Sequence, residues 1–402
     1  MKYPRLSASK LLAQVSFATL GVLTSIDAGA QTYHYRVPSR GLTDQGSAAT
    51  ALSSVVKVLA GPNWDFNIVQ RADGSYWGVG RDSGIFGFGT FSNKTSLTPL
   101  PALSGATQIL LTYKHLLMRK ADGTWWQAGS NEWGEFGAVS PDSATYVAVP
   151  FLTDALQVVT GGDNVCAQKP DATWWCTGNN TQGQLGLGDT THRFAYTQIP
   201  GIAGATQVVI TEWNIFARMP DGSWKGAGDG RNGQLGLGDW NDRLTFVDIP
   251  AMNGATYVTG GVEFTLIRRA DGSWGAAGAN WGGMLGVGDF NDRNTFITVP
   301  ILASATKVVS AYYQTLAKMP DGTWYGVGAN NCGDLGLGDF NDRNSYVALP
   351  ALTGAVDVVS GNAGVFARWP DGTWTAAGCN QQAQLGLSTL RAFNVQTPVF
   401  RD

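Results

Sequence analysis

The chain has little of what helical bundles, metal centres and catalytic triads are made of. Only 14% of its 402 residues are charged, and no stretch sustains a helical period over eleven residues, which excludes a bundle of long helices. The three histidines, His34, His115 and His192, stand in unrelated contexts and pair into neither a triad nor a metal cluster, so no metal, cofactor or catalytic set is expected. Basic runs are absent and the formal net charge is -3, which argues against a nucleic-acid partner. No segment beyond the N-terminus approaches eighteen uninterrupted apolar residues, so membrane insertion is not expected. What the chain does have is 53 glycines and 11% aromatics, a composition suited to tight turns and large apolar contacts.

Residues 1–30 carry Lys2, Arg5 and Lys10, then the apolar run "LLAQVSFATLGVLTSI", then Ala28 and Ala30 at small-residue positions. This reads as a cleaved secretory signal. Three of the 27 Lys and Arg and one of the 30 Asp and Glu lie in it, so the remainder carries a net charge of about -5 on simple counting. Residues 31–50 form an N-terminal segment whose "TYHYRVP" is similar to the strand before each repeat proline described next. Residues 51–402 are the repeats.

An Asp, a small residue, Ser or Thr and an aromatic recur at Asp73, Asp122, Asp171, Asp221, Asp271, Asp321 and Asp371, at spacings of 49, 49 and then 50 residues. A proline follows each, at Pro101, Pro150, Pro200, Pro250, Pro300, Pro350 and Pro398. A period of this length repeated seven times marks one supersecondary unit repeated around a ring or along a solenoid. In the fourth unit, short runs rich in Val, Ile, Phe and Trp predict strands at 205–210, 215–219, 224–228 and 245–249. The "PDG" turn closes a hairpin, with Gly supplying a positive φ. Three residues after each Asp stand Tyr76, Trp125, Trp174, Trp224, Trp274, Trp324 and Trp374, one large aromatic per unit where sheets pack on one another. Four short strands repeated seven times predict an all-β, seven-bladed propeller of four-stranded blades. Either Tyr33–Val37 or Val395–Phe400 is expected to complete a blade shared by the two ends.

With "QGQLGLGD" at 182–189 and "NGQLGLGD" at 232–239, the chain resembles the regulator of chromosome condensation repeat family, whose unit ends in Gly-Gln-Leu-Gly-x-Gly. The resemblance implies the same propeller fold. It covers the whole repeat region but is divergent. The family's repeat His is present once, as His115, while Phe66, Asn164, Asn214, Phe264, Gln314 and Gly364 hold the matching positions. Exchange activity on a nuclear GTPase is not implied, because an exported acidic chain would not meet that partner. Similar in architecture are the exported β-lactamase-inhibitor propellers, which act by binding another protein.

Four features are candidate sites. The hexamer "GDFNDR" occurs at 288–293 and 338–343, with "GDWNDR" at 238–243. Its carboxylates could bind calcium, but the loop lacks the Gly and the Glu of a dedicated calcium loop, and an Asx-type turn braced by Arg243, Arg293 and Arg343 is the preferred reading. Arg119, Arg218, Arg268, Lys318 and Arg368 could line an anion-binding ring, or pair with the repeated Asp, which is preferred. The stretch between the first two strands varies most, and it places Trp64, Asp65, Tyr113, Lys114, Trp213, Glu263, Tyr312 and Tyr313 on one rim of the disc, where exposed aromatics among charges make binding hot spots. The competing explanation is drift of unconstrained turns. Cys166 and Cys176 lie five residues to either side of Asp171, opposed across a hairpin and within disulfide reach. Cys332 and Cys379 could form a second bridge between neighbouring blades.

The expectation is therefore an exported, monomeric, non-catalytic scaffold, periplasmic or extracellular, that binds another protein through the aromatic rim. The alternatives are a carbohydrate-binding propeller and, less favoured, a glycoside hydrolase or lyase whose carboxylate pair hides among the acidic residues.

Overall fold

The computed structural model describes residues 55–60, 66–361, 364–387 and 391–400. The signal segment, Tyr33–Val37, Trp64 and Asp65 lie outside the described residues. Seven four-stranded antiparallel sheets follow one another, each built from four strands consecutive in the chain. The first strands of neighbouring sheets touch in five of the seven neighbouring pairs, which sets them around a central axis with the fourth strands at the perimeter.

In blade four the strands are Gln207–Ile210, Asn214–Arg218, Trp224–Gly228 and Arg243–Asp248. The fourth begins earlier than its hydrophobic run suggests. A register shift between Gly226 and Gly228 brings Arg243 opposite Gly228, so pairing starts at the end of the polar hexamer. The repeat proline opens a single 3-10 turn in six blades, Pro250–Met252 being typical; its missing N–H falls where a helical turn has no acceptor to offer it.

The apolar core lies between blades. Phe216, Trp224, Leu235, Ile249 and Met252 of blade four pack on Ala255, Val258 and Ile267 of blade five, and a cluster of this kind fills each of the other six junctions. At some junctions the repeat tryptophan adds a hydrogen bond. Trp174 Nε1 donates to the carbonyl of Ala205 at 2.9 Å, and Trp224 Nε1 to that of Ala255 at 3.1 Å, each across to the next blade.

The ring closes laterally. Phe393–Pro398 is the outer strand of blade seven, so the C-terminal segment completes its own blade. Blade one then packs against blade seven through Val55, Val58, Val69, Phe366, Trp374 and Phe400. Trp374 Nε1 reaches the carbonyl of Val55 at 3.4 Å and Asn67 Nδ2 that of Gln384 at 2.8 Å.

Both expected disulfides are present. Cys166 and Cys176 face each other across the second and third strands of blade three, their Cα atoms 4.1 Å apart. Cys332 and Cys379 tie the loop of blade six to blade seven, with Cα atoms 5.1 Å apart. Changing Cys166 and Cys176 together to Ala is expected to lower stability by about 2–3 kcal/mol, from loop entropy together with lost packing at a fully buried site. Urea denaturation of the oxidised protein and the double variant would measure it, and coincident curves would count against a structural role.

Candidate functional site

Chain direction alone gathers two sets of loops on one face. The turn joining the first and second strands lies at the axis, and the third strand returns to the same end, where the long connection to the fourth strand starts. Backbone bonds lock the two together. Asp229 N donates to the carbonyl of Trp213 at 3.0 Å, Ala279 N to that of Glu263 at 2.8 Å, and Ala329 N to that of Tyr313 at 2.9 Å. The contact is close enough to demand glycine. A Cβ on Gly228, which has φ 116°, would stand 2.0 Å from the carbonyl oxygen of Trp213. Where the resembling family carries its His, Asn164, Asn214 and Gln314 donate to loop carbonyls of their own blades at 2.6 to 2.9 Å, so an amide side chain takes over the bracing of this junction.

The rim residues do not all stand in solvent. Trp213, Lys114 and Glu263 are half-buried, but Tyr113, Tyr312 and Tyr313 are buried. The reason is convergence, because the axial turns of a closed ring meet over a narrow centre. Tyr113 crosses from blade two to pack with Val262, Phe264, Tyr312 and Tyr313 of blades five and six. Its hydroxyl donates to Glu212 Oε1 of blade four at 3.0 Å. Tyr312 and Tyr313 lie 4.1 Å apart by ring centroids, and Trp281 packs edge-on against Tyr313 at 4.6 Å. Tyr312 holds φ 40° at a turn where blade three uses Gly162 at φ 55°, a conformation that costs a bulky residue about 1–2 kcal/mol.

Around this aromatic plug stand acids that the sequence reading did not single out: Glu135, Asp163, Glu212 and Asp229. Glu212 is 2% exposed, and its second carboxyl oxygen has no hydrogen-bond partner among the described residues. Burial, then the charges of Glu263, Asp163 and Asp229, raise its carboxyl well above the ordinary range. Burial likewise raises Glu263 and pushes Asp163 up to about 7 against the pull of Lys114. The cations nearby are engaged, Lys114 with Glu132 at 3.4 Å and Arg231 with Asp229 at 3.0 Å. The centre of this face is therefore acidic and aromatic. Glu212 directly precedes Trp213 in the same variable turn, which was the available signal.

Other expectations fared unevenly. The hexamer is an Asx-type turn with an arginine brace, as preferred: Asp289 Oδ1 accepts the N–H of Asn291 at 2.9 Å and Oδ2 accepts from Arg293 Nη2 at 2.5 Å. The pairing of the repeated cations with the repeated Asp is not what the structure shows. Asp122, Asp221, Asp271 and Asp321 instead accept the N–H and hydroxyl of the Thr or Ser two residues on. Among the described residues no ion pair joins them to Arg119, Arg218, Arg268 or Lys318, because the turn already occupies the carboxylate. His115 is buried beside Gln127, with Nε2 and Oε1 3.1 Å apart, and burial pushes it down to about 3. It is a neutral core residue at physiological pH.

No protein-family model and no curated protein matches the chain. Solved structures do. Prp20p from Saccharomyces cerevisiae superposes with a TM-score of 0.67 at 15% identity, over 87% of this chain and 88% of its own. Yeast RCC1 (Prp20) in its complex with Kap60 gives 0.68 at 14% identity, over 90% of each chain. The chain has the seven-bladed RCC1 propeller fold. Human WBSCR16 shares it, with a TM-score of 0.61 at 17% identity over 86% of this chain and 96% of its own. Identities this low establish architecture and leave function to the site.

Proposed function

We propose that this RCC1-like propeller is an exported, non-catalytic scaffold that holds another protein against the acidic, aromatic centre of one face. The observation that carries the reading is the concentration there of Trp213, Trp281, Glu263 and Lys114, half-buried or exposed, over a floor of buried Tyr113, Tyr312 and Glu212. Partly exposed aromatics over a rigid floor are what anchor a protein interface. The turns of the opposite face, by contrast, are closed on themselves by their Asp side chains. Raised carboxyl pKa values also mark catalytic sites; of those here Glu135 and Glu212 are closed off from solvent, while Asp163 and Glu263 are half-buried. Prp20p and yeast RCC1 are described with protein partners, namely Gsp1p, histones and Kap60, which supports protein binding as a use of this architecture without transferring those partners. Two disulfides agree with an oxidising compartment, and no helix among the described residues is long and apolar enough to cross a membrane.

Surplus acid at the centre selects a partner that presents Lys or Arg. In a pull-down from envelope and culture medium, the full exported chain should capture such a protein. A folded variant carrying Trp213→Ala and Trp281→Ala should hold it at least about tenfold more weakly, as loss of interface anchors implies. Equal capture by both baits would remove the axial surface from consideration.

A further inference from the structure

The hexamer repeated on blades four, five and six holds a second surface, further from the axis on the same face. Its repeated Asp and Arg side chains all have structural tasks. Asp239, Asp289 and Asp339 each take the N–H two residues on at 2.9 to 3.0 Å, and each pairs with the arginine four residues on at 2.5 to 2.7 Å. Asp242, Asp292 and Asp342 accept the N–H of Gly230, Asn280 and Asn330 at 2.7 to 2.9 Å. Each loop is then fastened to the next blade, where Asn294, Asn344 and Asn394 donate to the carbonyls of Gly238, Gly288 and Gly338 at 2.8 to 3.2 Å.

The aromatic at the tip of each hexamer has no such task. Trp240 is 47% exposed, Phe290 49% and Phe340 50%. Blade three shows that the turn does not need an aromatic. Its "GDTTHR" makes the same brace, Thr191 N to Asp189 Oδ1 at 2.8 Å and Arg193 to Asp189 at 2.7 Å, with exposed Thr190 at the tip. Three half-exposed large rings held by rigid turns carry a solubility cost that the fold itself does not require.

The near-identity of the three copies, with Trp in one and Phe in two, indicates the kind of ligand. A folded protein offers a different surface to each blade, so residues facing it would differ from blade to blade, as those at the axis do. A polymer of one repeated unit offers the same surface to each. An isolated ring set among Asp, Asn and Arg side chains matches the amphipathic face of a sugar, whose C–H groups pack on an aromatic ring while its hydroxyls meet polar neighbours. We propose that Trp240, Phe290 and Phe340 form a repeated binding surface for a polysaccharide, one sugar ring stacking on each. This surface is independent of the axial one, and either can fail without the other.

The test replaces each aromatic with the residue blade three uses: Trp240→Thr, Phe290→Thr and Phe340→Thr, singly and together. Binding is read by retardation in native gels cast with hydroxyethyl cellulose, xylan or galactomannan, and by sedimentation with insoluble chitin and peptidoglycan sacculi. The full exported chain should bind at least one of these polymers, with short oligosaccharides competing poorly. Each single substitution should weaken binding about 3- to 10-fold and the triple at least about 30-fold, as expected when linked weak contacts act together. Circular dichroism and thermal melting should show all variants folded. Failure of the parent chain to bind any polymer of the panel would overturn the proposal. So would a folded triple variant that binds as the parent does, or a triple variant that loses capture of a protein or self-association in place of glycan binding.

Discussion

Replacing Trp374 with Ala is expected to remove about 3–5 kcal/mol of stability, the range for deleting a fully buried tryptophan, measurable as a lower urea midpoint. The indole is 1% exposed and sits where the last blade meets the first, against Val55, Val58, Val69 and Phe366. Closing a ring brings together segments over three hundred residues apart, and the entropy of that closure must be met by contacts at this one seam. Among the described residues no strand is exchanged across it, so side-chain packing and a few hydrogen bonds carry the junction. A Trp374→Phe variant separates the two contributions. It keeps most of the apolar contact, loses the N–H donated to Val55, and should retain more than half of the stability that Ala loses. A loss below about 1 kcal/mol for Trp374→Ala, within the range of ordinary surface changes, would mean that the seam opens freely and that closure rests elsewhere.

How far the sequence could be read depends on whether a residue's surroundings lie within one unit or arise only when seven units close. The period, the repeat tryptophan, the cysteine pair opposed across one hairpin and the arginine brace of the hexamer are properties of one unit or two neighbours, and the structure has all of them. Tyr113, Tyr312 and Tyr313 are different. Read along one unit they occupy a turn and belong in solvent; only ring closure turns them toward a common axis, where Tyr113 meets residues three and four blades away. The expected pairing of Arg218 with Asp221 failed for a local reason, because Ser223 takes the carboxylate first. In the hexamer the charged residues serve the turn and the aromatic does not. With the Asp and Arg side chains committed to the turn, Trp240, Phe290 and Phe340 stand out against Thr190, which holds the matching position in blade three.

The second large effect concerns Glu135, and Glu135→Gln is expected to stabilise the protein at neutral pH. Blades three, four and seven hold Gln184, Gln234 and Gln384 at this place, and each accepts the N–H two residues earlier at 2.7 to 3.1 Å. Glu135 does the same for Trp133 at 3.0 Å, so a glutamine fits without rearrangement. Glu135 is 1% exposed, and burial, then the charge of Asp163, raise its carboxyl well above the ordinary 4.5. A carboxyl raised in the folded state favours folding at low pH and opposes it as pH climbs above the unfolded value. At pH 7 the unfolded chain is ionised there, so the raised carboxyl sets folding against proton uptake or a buried charge, and either costs stability. Gln avoids that cost, and the gain should vanish toward pH 4, where both states of the parent hold the proton. Urea midpoints of parent and variant from pH 4 to 8 would show the divergence; a difference that does not change with pH would mean that Glu135 is not protonated on folding. Asp334 occupies the same position in blade six and is pushed up to about 7 by burial, so Asp334→Asn should behave in the same sense. Since Gln performs the structural task in three blades, the acids at 135 and 334 weaken the fold without improving the turn.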